Sequence, residues 1–338
     1  MKFRRSLALG LLAVLAALSA RAAVAQQTTL IVATLSNEDT ISVKNFFVPW
    51  AQAVERDSQG TLKMDVRNGY SIASLNNSLD RLNEDVVQVT GVFHGSWTGR
   101  FPLTEVAGLP FMTRKAEDAG IALWRLYKTS LLDNELKDFV PIAMTTYGFS
   151  GLHLVKQPKT LDTLQGLKIV TASKIQSDML RLLGASPASA TPMDAYTALQ
   201  HGTYDGILTS WAGVVAFHLN EVTNHHIDAA LGTTTEMVAM TRKRYNALPA
   251  AARKAIDDNS GEKWTRVLAA HSVDDAINIA QQEARSRGAT IVELTPQQTK
   301  LWEDKTKPVI DEWVKSRKDG AVILTKFREL LAQVEAGK

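Results

Sequence analysis

Residues Leu167 to Trp211 read LKIVTASKIQSDMLRLLGASPASATPMDAYTALQHGTYDGILTSW. Leu167 to Thr171 is a short apolar run of the kind that forms a buried strand. Ser173 and Gln176 have the spacing of a helix capping box, and Gly184 follows the last apolar position, Leu183. Thr191 and Pro192 then supply a cap and a first-turn proline, Met193 to His201 carry a second helix, and Gly202 ends it. Ile207 to Trp211 is strand-like again. Two complete start and stop signals between strand candidates mark an α/β unit.

The same alternation extends in both directions. Upstream, Thr29 to Leu35, Leu62 with Met64 and Val66, and Val86 to Phe93 read as strands. Phe46, Phe47, Trp50, Ala51 and Val54, and later Ile121, Trp124, Tyr127 and Leu131, recur at helical spacing. Leu152 to Val155 and Glu236 to Met240 are further strand candidates. This order predicts an α/β protein with largely parallel sheets. Gly261 to Arg287 reads as one uninterrupted helix with a broken apolar stripe, roughly 40 Å long at about 1.5 Å per residue. That length suits a helix lying across two lobes. No internal repeat, low-complexity stretch or flexible linker interrupts the chain, so the lobes should be joined by several crossings with strands as hinges.

The chain has 338 residues, with 38 Lys and Arg against 35 Asp and Glu, a formal charge of +3. The first 25 residues hold Lys2, Arg4, Arg5 and Arg21 and no acid. Setting those four aside leaves 34 basic residues against 35 acidic ones, a net −1. Basic Met1 to Arg5, apolar Ser6 to Ala20 and small Ala23-Val-Ala25 have the three-part pattern of a secretory signal peptide cleaved after Ala25. The apolar run is shorter than the ~20 residues a spanning helix needs. The expected product is a soluble periplasmic protein without stable membrane insertion, and its near-neutral charge gives no footing for nucleic acid. There is no cysteine, which removes disulfides, thiol nucleophiles and cysteine-ligated metals.

Catalytic signatures are missing: no G-x-S-x-G, no phosphate loop, no G-x-G-x-x-G and no H-E-x-x-H. Gly95 to Gly99 is glycine-bounded but lacks the phosphate-loop lysine. His225 and His226 with Asp228 could be weighed as metal ligands, but adjacent histidines on a strand face opposite ways. Glu38 and Asp39 form a carboxylate pair in a polar loop, read as solvated charge more readily than as acid–base chemistry. No enzyme, metal or cofactor is expected.

Four segments carry a resemblance: Leu161 to Ile169, Pro192 to Gly206, Gly99 to Phe111 and Tyr245 to Pro249. In order along the chain, they resemble the extracytoplasmic solute receptors of TRAP transporters, the DctP type. The resemblance implies a two-lobed periplasmic-binding-protein-like fold with hinge strands and a long helix spanning both lobes. It implies capture of a small-molecule ligand between the lobes and delivery to TRAP-type membrane permease subunits, without catalysis, by a protein expected to be monomeric. The lobe limits expected are 26–147 plus 236–275 for the first and 148–235 plus 276–338 for the second, after a signal peptide at 1–25. A same-fold receptor that presents its ligand to a sensor, or an exported hydrolase or lyase using Glu38, Asp39 or His153, are the competing readings.

One departure bears on the ligand. Most members place an arginine on the binding strand, where its fork pairs with a carboxylate. Here Val170 occupies that position, and Thr209 stands where an asparagine is frequent. Three ligand classes stay open. An acid could be held at the helix N-terminus capped by Ser173, with Lys174, His153 or Arg100 supplying charge. A neutral or aromatic compound could sit against aromatic walls. A cation could use Glu38 or Asp39. The expected contacts are Tyr70, Asn76, Phe93 and Trp97 from the first lobe. From the second they are His153, Val170, Ser173, Thr209, Ser210 and Trp211, with Val170 as a wall. Phe217 is a weaker candidate, and Trp50, Trp124, Trp264 and Trp302 read as core.

Overall fold

The structure is a computed structural model that describes residues 27–171, 173–190 and 192–338. The leader, its cleavage point and the Thr191 cap lie outside the described residues.

The strands form two sheets. The first has the order β2 (Leu62–Arg67), β1 (Thr28–Ala33), β3 (Val89–Phe93), β10 (Thr235–Thr241), β4 (Phe139–Thr146). The second has the order β11 (Thr290–Glu293), β9 (His225–Asp228), β5 (Ser150–Leu154), β8 (Gly206–Ser210), β6 (Lys168–Thr171), β7 (Ser186–Ser189). The βα units pair in parallel, as their crossover helices require: β1 with β2 and β3, and β6 with β7 and β8. The sheets are nonetheless mixed, which corrects the expectation of largely parallel ones. β10 runs antiparallel to β3 and β4, and β5 antiparallel to β8 and β9. Both are strands by which the chain enters a sheet from the other lobe. They arrive at the end where the βα strands finish, so their direction is reversed.

The long helix is present, as Glu262–Leu268, a π-helical turn at Ala269–Asp274, and Asp275–Ser286. Trp264 and Leu268 join the first-lobe core with Phe46, Trp50 and Val238. Ile277, Ala280 and Ala284 join the second-lobe core with Val214 and Ile207. The helix therefore lies along both lobes. The π turn brings Asp274 to the start of helix Ala116–Tyr127, where its carboxylate accepts the backbone N–H groups of Ala116 (2.9 Å) and Glu117 (3.0 Å).

The C-terminal segment departs from the expected lobe limits. Trp302 and Val309 of helix Pro296–Lys315 pack in the second lobe. Helix Gly320–Glu335 returns to the first: Ile323, Phe327 and Leu331 sit in one cluster with Leu123 and Leu126 of helix Ala116–Tyr127. The spacing Ile323, Phe327, Leu331 makes the apolar stripe that this packing uses. Phe327 is fully buried, and truncating a buried phenylalanine leaves a cavity. Phe327→Ala is expected to lower unfolding stability by about 3–5 kcal/mol in urea denaturation. A loss below about 1 kcal/mol would show that the last helix is not part of the first-lobe core.

Candidate ligand-binding cleft

The topology decides which residues can meet a ligand. β1, β3 and β4 end, and β10 begins, at the side of the first sheet where the chain crosses. β6 and β8 end, and β5 begins, at the facing side of the second. The two sets of strand ends face one another, and Ile175 at the start of helix Lys174–Leu182 packs against the core clusters of both lobes.

On the first-lobe side the structure pairs Phe93 with Tyr147, a residue the sequence does not single out, and packs Trp97 against the same core cluster as Phe93. The Phe93 and Tyr147 rings lie 4.8 Å apart, tilted by 42°. Trp97 is partly buried against the first-lobe core, yet its indole N–H is buried without an acceptor. Tyr70 stands in the turn after β2, 58% exposed, and its hydroxyl acts electrostatically on that of Tyr147. Burial first, then the charge of Glu236, then Tyr70 push the Tyr147 hydroxyl well above the usual phenol range. Asn76 is exposed. Its neighbour Asn77 makes the local contact, accepting from the Ser74 backbone N–H at 2.7 Å.

On the second-lobe side Ser173 caps helix Lys174–Leu182 by accepting from the Gln176 backbone N–H at 3.2 Å. The Gln176 amide does not close the capping box. It reaches across the strand ends, donating to the Ser150 hydroxyl (3.0 Å) and accepting from the Thr171 hydroxyl (2.7 Å). Ser210 caps helix Trp211–Ala216 by accepting from the Gly213 N–H at 3.2 Å, and Thr209 is partly buried beside it. A pocket of about 360 Å³ is lined by Thr171, Ser173, Lys174, Asp178, Arg181 and Ser189. Its two cations are both spent on Asp178, which pairs with Lys174 and with Arg181.

Three expected contacts are core residues instead. Val170 is fully buried in the apolar cluster that holds Ala195, Leu199, Ile207 and Trp211. Trp211 is buried, with its indole N–H donated to Asp228 Oδ1 at 3.1 Å. His153 does face opposite to Leu152 and Leu154, but it is fully buried there as well, against Trp211 and His226. Both its nitrogens are occupied: Nε2 meets the Thr209 carbonyl at 3.1 Å and Nδ1 meets His226 Nδ1 at 2.8 Å. A carbonyl only accepts, so His153 carries its proton on Nε2 and His226 donates from Nδ1. Burial holds both rings neutral, pushing His153 down to about 3 and His226 to about 4. His225 points the other way, to the Thr290 hydroxyl at 2.8 Å.

The remaining charged candidates are committed elsewhere. Arg100 lies over the Phe101 and Phe139 rings and donates to the Glu135 carbonyl at 3.1 Å. Glu38 and Asp39 are exposed, Asp39 beside Lys44 at 3.6 Å. Phe217 packs in the second-lobe cluster. Among the described residues no three His, Asp or Glu side chains gather as a metal site.

Two α/β lobes joined by strand crossings, with facing strand ends lined by aromatic rings and neutral donors, define a receptor that closes on a small ligand. The sequence matches the family "Bacterial extracellular solute-binding protein, family 7" (DctP) over residues 32–316, and the chain belongs to that family. It is a TRAP solute receptor, passing its ligand to a TRAP permease, and DctP-family proteins are periplasmic. A TRAP solute-binding protein of Rhodoferax ferrireducens, solved with copurified benzoate, is 29% identical with a TM-score of 0.80, covering 92% of this chain and all of that one. A marine metagenome TRAP protein specific for aromatic acid ligands, solved with 3-hydroxybenzoate, is 25% identical with a TM-score of 0.81, covering 91% and 99%. The Comamonas testosteroni "outer membrane transporter protein TsaT" is 28% identical over 322 residues, 93% of each chain.

The buried histidine pair makes a stability prediction. Unfolded histidines titrate near 6.5, whereas His226 titrates near 4 in the fold. Between those values the unfolded chain binds the extra proton, so the His226 contribution is intact above about pH 7 and is lost as pH falls toward 4. Relative to the wild type, His226→Gln is expected to gain stability as pH drops from 6.5 to 4.5 in urea titrations. A difference independent of pH would show that His226 is not held neutral.

Proposed function

We infer that the ligand is a small aromatic carboxylate, gripped by rings from the first lobe and neutral hydrogen-bond donors from both. The observation that carries this reading is Trp97: its indole N–H is buried without an acceptor, and the ring packs against the same first-lobe core cluster as Phe93, which pairs with Tyr147. An unspent donor at the edge of an aromatic wall suits a flat ring bearing an anionic group. The Ser150–Gln176–Thr171 chain offers hydroxyl and amide partners from the opposite side. The ligands named for the Rhodoferax and metagenome proteins, benzoate and 3-hydroxybenzoate, agree with that chemistry. With Val170 in the arginine position, the anion is met by dipoles rather than by a guanidinium fork.

The rest of the reading follows the family pattern. The working chain starts after Ala25, acts as a monomer, and binds without turning its ligand over. Its first lobe is built on the sheet from β1 to β4 with β10, together with the last helix. Its second lobe is built on the other sheet.

A thermal-shift comparison tests the ligand class. Benzoate or 3-hydroxybenzoate at 100 times its Kd is expected to stabilise the protein by about 2.7 kcal/mol, while succinate and benzyl alcohol leave the melting temperature unchanged. Trp97→Phe keeps the ring and removes the N–H; it is expected to cost about 1.5–3 kcal/mol of binding to the anion. Stabilisation by succinate alone would overturn the aromatic reading.

A further inference from the structure

Glu236 is the second residue of β10, next to the point where the chain re-enters the first lobe, and it is only 5% exposed. In register it stands between Phe93 on β3 and Thr145 on β4. Gly91 gives it room: a methyl group there would overlap its Oε1, and the Phe93 ring borders the same space. Tyr147, tilted against Phe93, feels its electrostatic influence. Among the described residues nothing hydrogen-bonds to this carboxyl and no cation pairs with it; burial alone acts on it, raising it to about 8. Burial therefore favours the neutral carboxylic acid, which has one O–H to donate and a C=O to accept.

A buried polar group without a partner costs stability, so one set at the strand ends beside Phe93 calls for a partner supplied by the ligand. A ligand hydroxyl uses both halves of the acid, accepting from its O–H and donating to its C=O. A ligand carboxylate could use only the O–H. An ammonium would require the carboxyl to ionise where burial opposes it.

We propose that the Glu236 carboxyl is the first lobe's contact for a hydroxyl group on the bound acid, so that the receptor selects hydroxylated aromatic acids over the same acids without the hydroxyl. This rests on the aromatic-carboxylate reading above and adds the substituent to it. The position of the hydroxyl is left to the ligand pairs: on the ring in 3-hydroxybenzoate against benzoate, on the side chain in mandelate against phenylacetate.

Calorimetric titration of the wild type, Glu236→Gln and Glu236→Leu with both pairs tests it. In at least one pair the wild type is expected to bind the hydroxylated acid tenfold tighter or more. Glu236→Leu should bring that ratio close to one by weakening the hydroxylated acid, and Glu236→Gln, whose amide can still donate and accept, should keep part of it. Melting of the ligand-free variants separates a binding role from a structural one. Because the carboxyl has no partner in the fold, Glu236→Leu should melt at or above the wild type. Equal binding within both pairs, or a wild-type ratio retained in Glu236→Leu, overturns the proposal and leaves the aromatic-carboxylate reading standing. Binding of none of the four acids overturns both.

Discussion

The place where the chain changes lobes governs everything else in this molecule. After β4 it leaves the first sheet through Tyr147, Gly148 and Phe149, and it returns through Gly232 to Thr234 into β10. Both crossings need glycine. Gly148 has φ +67°, and a side chain there would overlap Ile277 of the long helix. Gly232 has φ +77°, and its added carbon would lie 2.7 Å from the Gly108 carbonyl oxygen. L-residues resist that backbone region and the close approach adds a second penalty. With the crossings fixed, the entering strands must be antiparallel to their neighbours, and the free strand ends of both sheets converge on one cleft.

That constraint also explains what could be read from the sequence and what could not. The helix signals around Ser173, Gly184 and Gly202 are local, and local chemistry decides them. Ser173 accepts the Gln176 N–H, and Gly184 and Gly202 take φ +94° and +70°. The long helix was legible for the same reason, although its π turn was not. Alternation along β5 correctly separated His153 from Leu152 and Leu154, but period two says only that two faces exist. It does not say that both are roofed. The cover over His153 comes from Trp211 and His226, both in later segments of the chain.

The aromatic side of the proposed cleft has a local signal in the sequence. Phe93 and Trp97 could be placed because they follow a strand whose end must be open. Tyr147, Gln176, Ser150 and Glu236 could not, since each gains its meaning from a partner in another segment: Tyr147 from Phe93, Gln176 from Ser150 and Thr171, Glu236 from the space left at Gly91. Gln176 was visible only as a capping residue, and it gave up half of that role to tie β5 and β6 together. A glutamate on a strand that otherwise reads as apolar core was the one unused signal. Glu236 interrupts a buried run from Thr235 to Met240, and an ionisable group in such a run either pairs or loses its charge.

The cations near the strand ends are committed to partners within the protein. Val170, where the resemblance implies an arginine, lies among apolar neighbours, and a guanidinium there would meet the full desolvation cost of a buried charge. Lys174 and Arg181 are held by Asp178, and Arg100 is laid over two phenylalanine rings. Burial raises Glu236 at the first-lobe strand ends to about 8, which favours its neutral form. A site of dipoles and rings gives up the long-range pull of a fixed cation, and gains dependence on geometry, because a hydrogen bond weakens steeply when misaligned. Recognition at such a site turns from charge toward shape and hydrogen-bond pattern.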